Sequence, residues 1–319
     1  MPIKRLRAAV LLFSAGTVGV CATAGAGVTP QLPYPTSQPT ALEIMQQVYF
    51  VNHFYALKNF AITKVKRKIT VLVSRAEGKR PTTNTLERYL NNDYGHDPVV
   101  KAKDLAIFRS GKLRGTGLLI TDYDDDSKGQ SYMIWLPALR KVRRFAQPAQ
   151  DDSWGGLDFT FGDVVLRKPE HETHEFLGKE VFKTCLQGMD IPKKHRNRYT
   201  RHLTKESCAS KGKEVYKVKS TTKFENWWYD YRINFVDTTT FADYRTEYFK
   251  DGKKIKFIDR DWNSLGLKDP RAMAWGYWYG KNFVTGHESW AVIPKEVVKY
   301  NGDFKPSLWS ERTLRKIKR

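Results

Sequence analysis

From Ile69 onward the chain repeats one pattern, short runs of period two separated by tight-turn residues, and that pattern leaves few folds open. Ile69-Thr70-Val71-Leu72-Val73 alternates and is followed by Gly78 and Pro81. Gly117 to Thr121 and Tyr132 to Leu136 read as strands flanking the polar stretch Asp122 to Gly129. Tyr244 to Phe249, then Asp251-Gly252, then Ile255 to Ile258 spell a hairpin, because Asp-Gly supplies the left-handed residues that a two-residue turn needs. Trp290 to Ile293 reads as a late strand, and Ser310 to Ile317 as a short closing helix or strand. One helix precedes the strands. Thr40 is placed to cap it, Leu42, Met45, Val48 and Tyr49 form its apolar stripe, and it is expected to run to about Leu57. Strands and helices do not alternate, which argues against a doubly wound nucleotide-binding fold. The expected class is mostly β (α+β): a strongly curved antiparallel sheet with a few helices on one side. The concave face of such a sheet is either a packed core or a ligand cavity, and periodicity does not separate the two.

The longest alternation puts Trp227, Tyr229, Tyr231, Ile233 and Phe235 on one side and Trp228, Asp230, Arg232 and Asn234 on the other. Leu118, Ile120, Ile134 and Leu136 share a face by the same rule. Both apolar sets are candidate walls of a hydrophobic cavity, and both fit plain core packing equally well. The basic run Arg140-Lys141-Val142-Arg143-Arg144 is the strongest charge feature of a 319-residue chain whose formal net charge is +21. As a strand it sets Arg140, Val142 and Arg144 on one face and Lys141, Arg143 and Phe145 on the other. Arg140, Lys141, Arg143 and Arg144 are candidates for docking to an anionic membrane surface or an acidic partner. The bland alternative is a solvated strand bridged to Asp158 and Asp163. Nucleic acid is a poor partner for an exported chain, despite the basic and aromatic residues.

Export is the expectation from the N-terminus. Lys4, Arg5 and Arg7 form a positive start, Ala8 to Val20 is an uncharged apolar run, and Ala22-Thr23-Ala24 and Ala24-Gly25-Ala26 both fit signal cleavage. Residues 1–26 are therefore expected to be a cleaved signal peptide, residues 27–40 a Pro-rich linker, and residues 41–319 a single periplasmic domain. Two other routes stay open: an uncleaved anchor, and lipid attachment at Cys21, against which Val18-Gly19-Val20 sets a β-branched residue where a small one is wanted. Cleavage leaves only Cys185 and Cys208, which in an oxidising compartment read as one disulfide at the base of a long, mobile, basic loop. A reactive thiol pair would want the C-x-x-C spacing that these two lack.

Chemistry-bearing motifs fail on inspection. Gly111, Gly115 and Gly117 make no phosphate-binding loop, and a close backbone approach explains them better. Asp122, Asp124 and Asp126 have the first spacings of a calcium loop, but Ser127 and Met133 stand where glycine and glutamate are needed. In His171-Glu172-Thr173-His174-Glu175 one residue separates Glu172 from His174 where a zinc protease has two, so these read as solvated surface. No nucleophile–base set is assignable, and the expectation is a protein with no cofactor, no metal and no enzymatic activity.

Three blocks carry a family resemblance: Gly115-Thr116-Gly117-Leu118-Leu119-Ile120, Trp135-Leu136-Pro137-Ala138-Leu139-Arg140-Lys141-Val142-Arg143-Arg144, and Gly156-Leu157-Asp158-Phe159-Thr160-Phe161-Gly162-Asp163. Their order resembles the outer-membrane lipoprotein-sorting proteins, the LolA-like periplasmic carriers. Thr246 to Lys256 resembles that family's late hairpin and Trp309 to Leu314 its C-terminal end. The resemblance implies an unclosed antiparallel half-barrel with helices covering its concave mouth. It also implies lipid or lipoprotein acyl chains as cargo, with an inner-membrane transporter and an outer-membrane acceptor as partners. The rival expectation is a non-catalytic periplasmic module that grips a protein or glycan through the aromatic half-barrel, suggested by Trp262, Trp275, Tyr277, Trp278 and Tyr279.

Overall fold

The computed structural model describes residues 27–94, 96–125, 127–203 and 206–317. The expected signal segment, Cys21 within it, and Asp126 lie outside the described residues. Helix α1 spans Ala41–Asn52. Thr40 and Glu43 close a capping box, in which the Glu43 N–H donates to the Thr40 hydroxyl and the Thr40 N–H donates to the Glu43 carboxylate at 2.7 Å. The buried face is Ile44, Met45, Val48 and Val51, while Leu42 is exposed, so the stripe is rotated from the expected one. The helix ends at the His53 cap rather than near Leu57, because Phe54 turns the chain with φ at 55°. Thr40→Ala is expected to cost about 1 kcal/mol. A lower urea midpoint with an unchanged slope checks it, and an unmoved midpoint refutes it.

Seventeen strands follow among the described residues: β1 Asn59–Ile62, β2 Thr70–Arg75, β3 Thr82–Asn91, β4 Val100–Ser110, β5 Gly117–Tyr123, β6 Ser131–Leu136, β7 Lys141–Phe145, β8 Glu172–Val181, β9 Leu186–Gln187, β10 Glu206–Ser207, β11 Glu214–Thr222, β12 Tyr231–Asp237, β13 Asp243–Lys250, β14 Lys253–Ser264, β15 Met273–Asn282, β16 Glu288–Val292 and β17 Val298–Tyr300. Helix α2, Glu311–Arg315, ends the fold. Fifteen strands form one antiparallel sheet, ordered β7-β6-β5-β4-β3-β2-β16-β15-β14-β13-β12-β11-β8, with β1 and β17 attached at β3. Two meanders build it: β2 to β7 step one way, β16 back to β11 the other, and the β2–β16 pair joins them.

The free edges, β7 and β8, are neighbours in sequence but do not pair, so the sheet stays open. The connection between them and α1 together cover the concave face, where Trp154, Leu157, Phe159 and Val164 pack with Met45, Val48, Trp275 and Trp278. The convex face is covered too. The Cys185–Cys208 disulfide forms, with the two residues 23 apart in sequence. The segment it closes is not a free loop but lies on the sheet: the Tyr277 hydroxyl donates to Leu186 O at 3.1 Å, the Gln187 N–H to Asp259 at 2.7 Å, and Ser207 to Asp261 at 2.8 Å. Double coverage explains why Met273 to Gly280 is buried on both faces.

The expected hairpin is present, with Asp251 and Gly252 at φ 49° and 70° between β13 and β14. At Gly117 a Cβ would stand 2.2 Å from Ile317 Cδ1, which is the close approach expected there, made by the C-terminal segment around α2. Residues 27–40 lie against the fold rather than spanning open space. Gln47 donates to Pro33 O, Arg271 to Leu32 O, and the Tyr34 hydroxyl to Thr239 O.

Candidate functional site

The concave interior divides into two chemically different halves. On the β2–β6 side it is mainly apolar, with one buried ion pair, Arg88 with Asp104 at 2.8 Å, set into it beside Trp275. Leu118 pairs with Ile134 and Ile120 with Tyr132 across β5 and β6, which puts Leu118, Ile120, Ile134 and Leu136 on one face, as expected. Ile120 is buried, and the other three are half-buried. A void of about 40 Å³ on the same side is walled by Leu72, Leu86, Trp154, Phe159, Trp275 and Trp278, with Arg88. None of the four expected residues lines it, and Ile120 lines a separate cavity of about 30 Å³ with Ala102, Asp104 and Val164.

On the β11–β14 side the same face is ionic. Glu172 takes a forked contact from Arg232, with Nη2 at 2.6 Å. Asp163 is held by Lys256 at 2.9 Å, by Arg167 at 3.1 Å and by the Tyr248 hydroxyl. Asp243 is held by Arg260 at 2.7 Å and by the Asn52 amide of α1 at 3.0 Å. Asn234 donates to Ser220, and Thr246 accepts from Arg260. Burial works to raise the Glu172 carboxyl, but the Arg232 guanidinium overrides it and holds it at about 2. For Asp163 burial is likewise overridden, by Lys256 and Arg167, and the carboxyl lies far below its ordinary range. Burial pushes the Tyr229 hydroxyl up to about 12, and it donates to Glu172 at 2.9 Å. A second cavity of about 50 Å³ opens into this network, between α1 and residues 162–169.

The second aromatic set is not brought together. Trp227 and Tyr229 precede β12 rather than lying in it, and only Tyr229 is deeply buried in the interior. Within β12 the buried face is Arg232, Asn234 and Val236. Tyr231, Ile233 and Phe235 face the other way and are half-buried. Tyr231 stacks on Phe249, and Lys219 and Lys217 sit over the Tyr231 and Phe235 rings. The cavity assignment of that set is thus corrected for Tyr231, Ile233 and Phe235. The alternation holds within β12 but breaks before it, between Tyr229 and Tyr231, and the interior that β12 faces is made of charge, so its aromatic side turns out.

The basic run lies at the open edge. Arg140, at φ 49°, turns the chain into β7. Lys141 and Arg143 pair with Leu136 and Ile134 and share their concave face, while Arg144 points to the other side, 3.9 Å from Glu311. All four are exposed. Asp158 and Asp163 do not bridge to this run: Asp163 is engaged by Arg167 and Lys256, and Asp158 accepts from Ser289. His171 and His174 are not solvated surface either. His171 meets Gln150 and Phe224, and His174 meets Ser220 and Pro169 O. Glu172 between them is the buried partner of Arg232. Sequence reasoning missed Arg167, Arg232, Asp243, Lys256 and Arg260 as interior residues. For Arg232, Lys256 and Arg260 the signal was charge within a strand among large apolar neighbours, as in Ile255-Lys256-Phe257-Ile258-Asp259-Arg260. Arg167, outside any strand, and Asp243, at the start of β13, gave none.

A family model described as "Uncharacterized protein" matches residues 101–204. No curated protein matches significantly. Among solved structures, the chain is similar to an outer membrane lipoprotein-sorting protein domain from Vibrio parahaemolyticus, at 14% identity and a TM-score of 0.61, covering 86% of this chain and 98% of that one. A DUF1329 family protein from Desulfovibrio piger matches at 14% identity and TM-score 0.60, covering 87% and 100%. A LolA superfamily protein from Nitrosomonas europaea matches at 11% identity and TM-score 0.50, covering 86% and 100%. The unclosed, covered antiparallel sheet of this chain is therefore the fold of the outer-membrane lipoprotein-sorting and LolA superfamily domains.

Proposed function

We propose that the protein is an exported, non-catalytic periplasmic carrier that takes a lipid or lipoprotein acyl chain into the apolar half of its concave interior. The observation that carries this reading is an open sheet whose apolar face is covered by a helix and a connection rather than by strands. Such covers can lift without breaking sheet hydrogen bonds. The void of about 40 Å³ is far below the roughly 300–1,000 Å³ of ligand pockets, so this is the closed state, and cargo enters by displacing the cover. Each buried CH₂ contributes about 0.8 kcal/mol, enough for a long chain to hold the cover open. Lys141 and Arg143 beside Ile134 and Leu136 set cationic and apolar groups together at the rim. That pairing suits docking against an anionic membrane or an acidic partner, such as an inner-membrane transporter or outer-membrane acceptor.

Lipid mass spectrometry of the natively purified protein, and uptake of a fluorescent fatty-acyl probe, test the reading. Ile134→Glu, on the concave face but half-exposed, is expected to keep cooperative melting and lose at least tenfold in probe affinity. Phe235→Glu, on the convex side, is expected to leave uptake near that of the parent. Equal uptake in both variants, or none by the parent, rejects the carrier.

A further inference from the structure

The ionic half of the interior is not neutral. Arg167, Arg232, Lys256 and Arg260 are set against Asp163, Glu172 and Asp243, and every one of these side chains is at most 8% exposed. Four cations face three carboxylates. The nearest others are Asp104, buried but already paired with Arg88 at 2.8 Å, and Asp158, which is half-buried, accepts from Ser289 and attracts Lys256 from the rim of the network. A buried excess charge is costly unless something pairs with it.

The same place holds donors with nothing to donate to. Arg167 Nε and Arg260 Nε are buried and lack a hydrogen-bond partner among the described residues, although Arg167 Nη1 and Nη2 are engaged by Tyr248 and Asp163, and Arg260 Nη1 by Asp243 and Thr246. Both residues, with Arg232, line the cavity of about 50 Å³ under α1. That space exceeds the roughly 10–15 Å³ that admits a single water. Asn52, on α1, lines it too, and its Oδ1 is a buried acceptor without a partner among the described residues. Val164 lines both this cavity and the apolar void, so the two adjoin.

We propose that this cavity is a head-group site for an oxyanion, a phosphate or carboxylate, carried on the acyl chain that enters the apolar half. The cargo class is thus an anionic amphiphile rather than a neutral lipid. Guanidinium groups bind such oxygens through charge-assisted hydrogen bonds, which are stronger and more directional than neutral ones. The Asn52 oxygen adds an acceptor for a P–OH. This inference rests on the carrier reading and specifies its ligand.

Displacement of a fluorescent acyl probe by dodecyl phosphate, dodecanoate and dodecanol tests it. The two anionic chains are expected to compete at concentrations at least tenfold below the alcohol. Arg167→Met is the informative variant, because Asp163 keeps Lys256 and Tyr248 and the buried charges become three against three. It is expected to narrow the anionic preference to below threefold. Should Arg167→Met fail to fold, the parent's own preference still decides. Equal competition by all three ligands overturns the head-group site and leaves the carrier standing. Competition by none removes the carrier, and the head-group site with it. Inorganic phosphate protecting the protein against heat as well as dodecyl phosphate does, at equal ionic strength, would make this a free-oxyanion site and overturn the amphiphile.

Discussion

Glu172→Gln is expected to cost about 3–5 kcal/mol of folding stability, the range for removing one partner of a buried ion pair. Glu172 is 1% exposed, and Arg232 meets it with Nε and Nη2. The substituted amide keeps one oxygen to accept from Arg232, beside the Asn234 contact, but the countercharge is gone, and the fully buried carboxylates facing the four cations of this half fall from three to two. The Tyr229 hydroxyl loses its charged acceptor as well. The penalty belongs to the orphaned charge, not to the pair, so the double variant Glu172→Met/Arg232→Met is expected to recover most of it. Chemical denaturation of the parent, the two single variants and the double variant measures the coupling directly. A single-variant loss under about 1 kcal/mol, or a double variant no better than the sum of the singles, would show that the pair is not buried as described.

That residue also marks where sequence reading stopped. Glu172 sits in His171-Glu172-Thr173-His174-Glu175, which looks polar throughout and reads as surface. Nothing local says that β8 lays Glu172 under β11 and β12 beside an arginine sixty positions on. The strands themselves were legible, since period-two runs and turn residues are local properties. β5, β6, the β13–β14 hairpin and the Thr40 cap all stand where the pattern puts them. The disulfide was legible by arithmetic. Faces were legible only where the interior is apolar, as for Leu118, Ile120, Ile134 and Leu136. In β12 the assumption that aromatic means inside reversed the strand, because the competing side, Arg232 and Asn234, satisfies its polarity within the fold. The segment between the cysteines failed for a related reason. Its basic residues suggest solvent, but Leu186, Met189 and Ile191 among them anchor it to the convex face.

Acid is expected to weaken the fold between about pH 6.5 and pH 4, and His53 is the leading group among the buried histidines. It caps α1, stacks on Tyr49 at 3.8 Å, and sets Nδ1 at 2.9 Å from Tyr49 O and Nε2 at 3.3 Å from Val165 O. Enclosure lowers its pKa to about 4; the two carbonyls work to raise it, while Arg88 and Lys101 add to the lowering. The unfolded chain has an ordinary histidine near 6.5, so between about pH 6.5 and pH 4 the unfolded state binds the extra proton. The stabilisation is complete above pH 6.5 and is lost as pH falls through 4. Its size is on the order of 2–3 kcal/mol, allowing for the solvent that reaches the ring edge. His171 and His174, both also lowered chiefly by burial, add slope of the same sign. His53→Gln keeps a donor for Tyr49 O and removes the titration. Its urea midpoint is therefore expected to fall less than the parent's between pH 7 and pH 4.5, and the two curves should converge. Parallel curves would clear His53 of the effect. Because the ring closes the last turn of the covering helix, hydrogen exchange at pH 5 should show the amides of α1 losing protection ahead of those of β14 and β15. In a carrier whose cargo enters beneath that helix, a proton on His53 would act on the cover before it acts on the sheet.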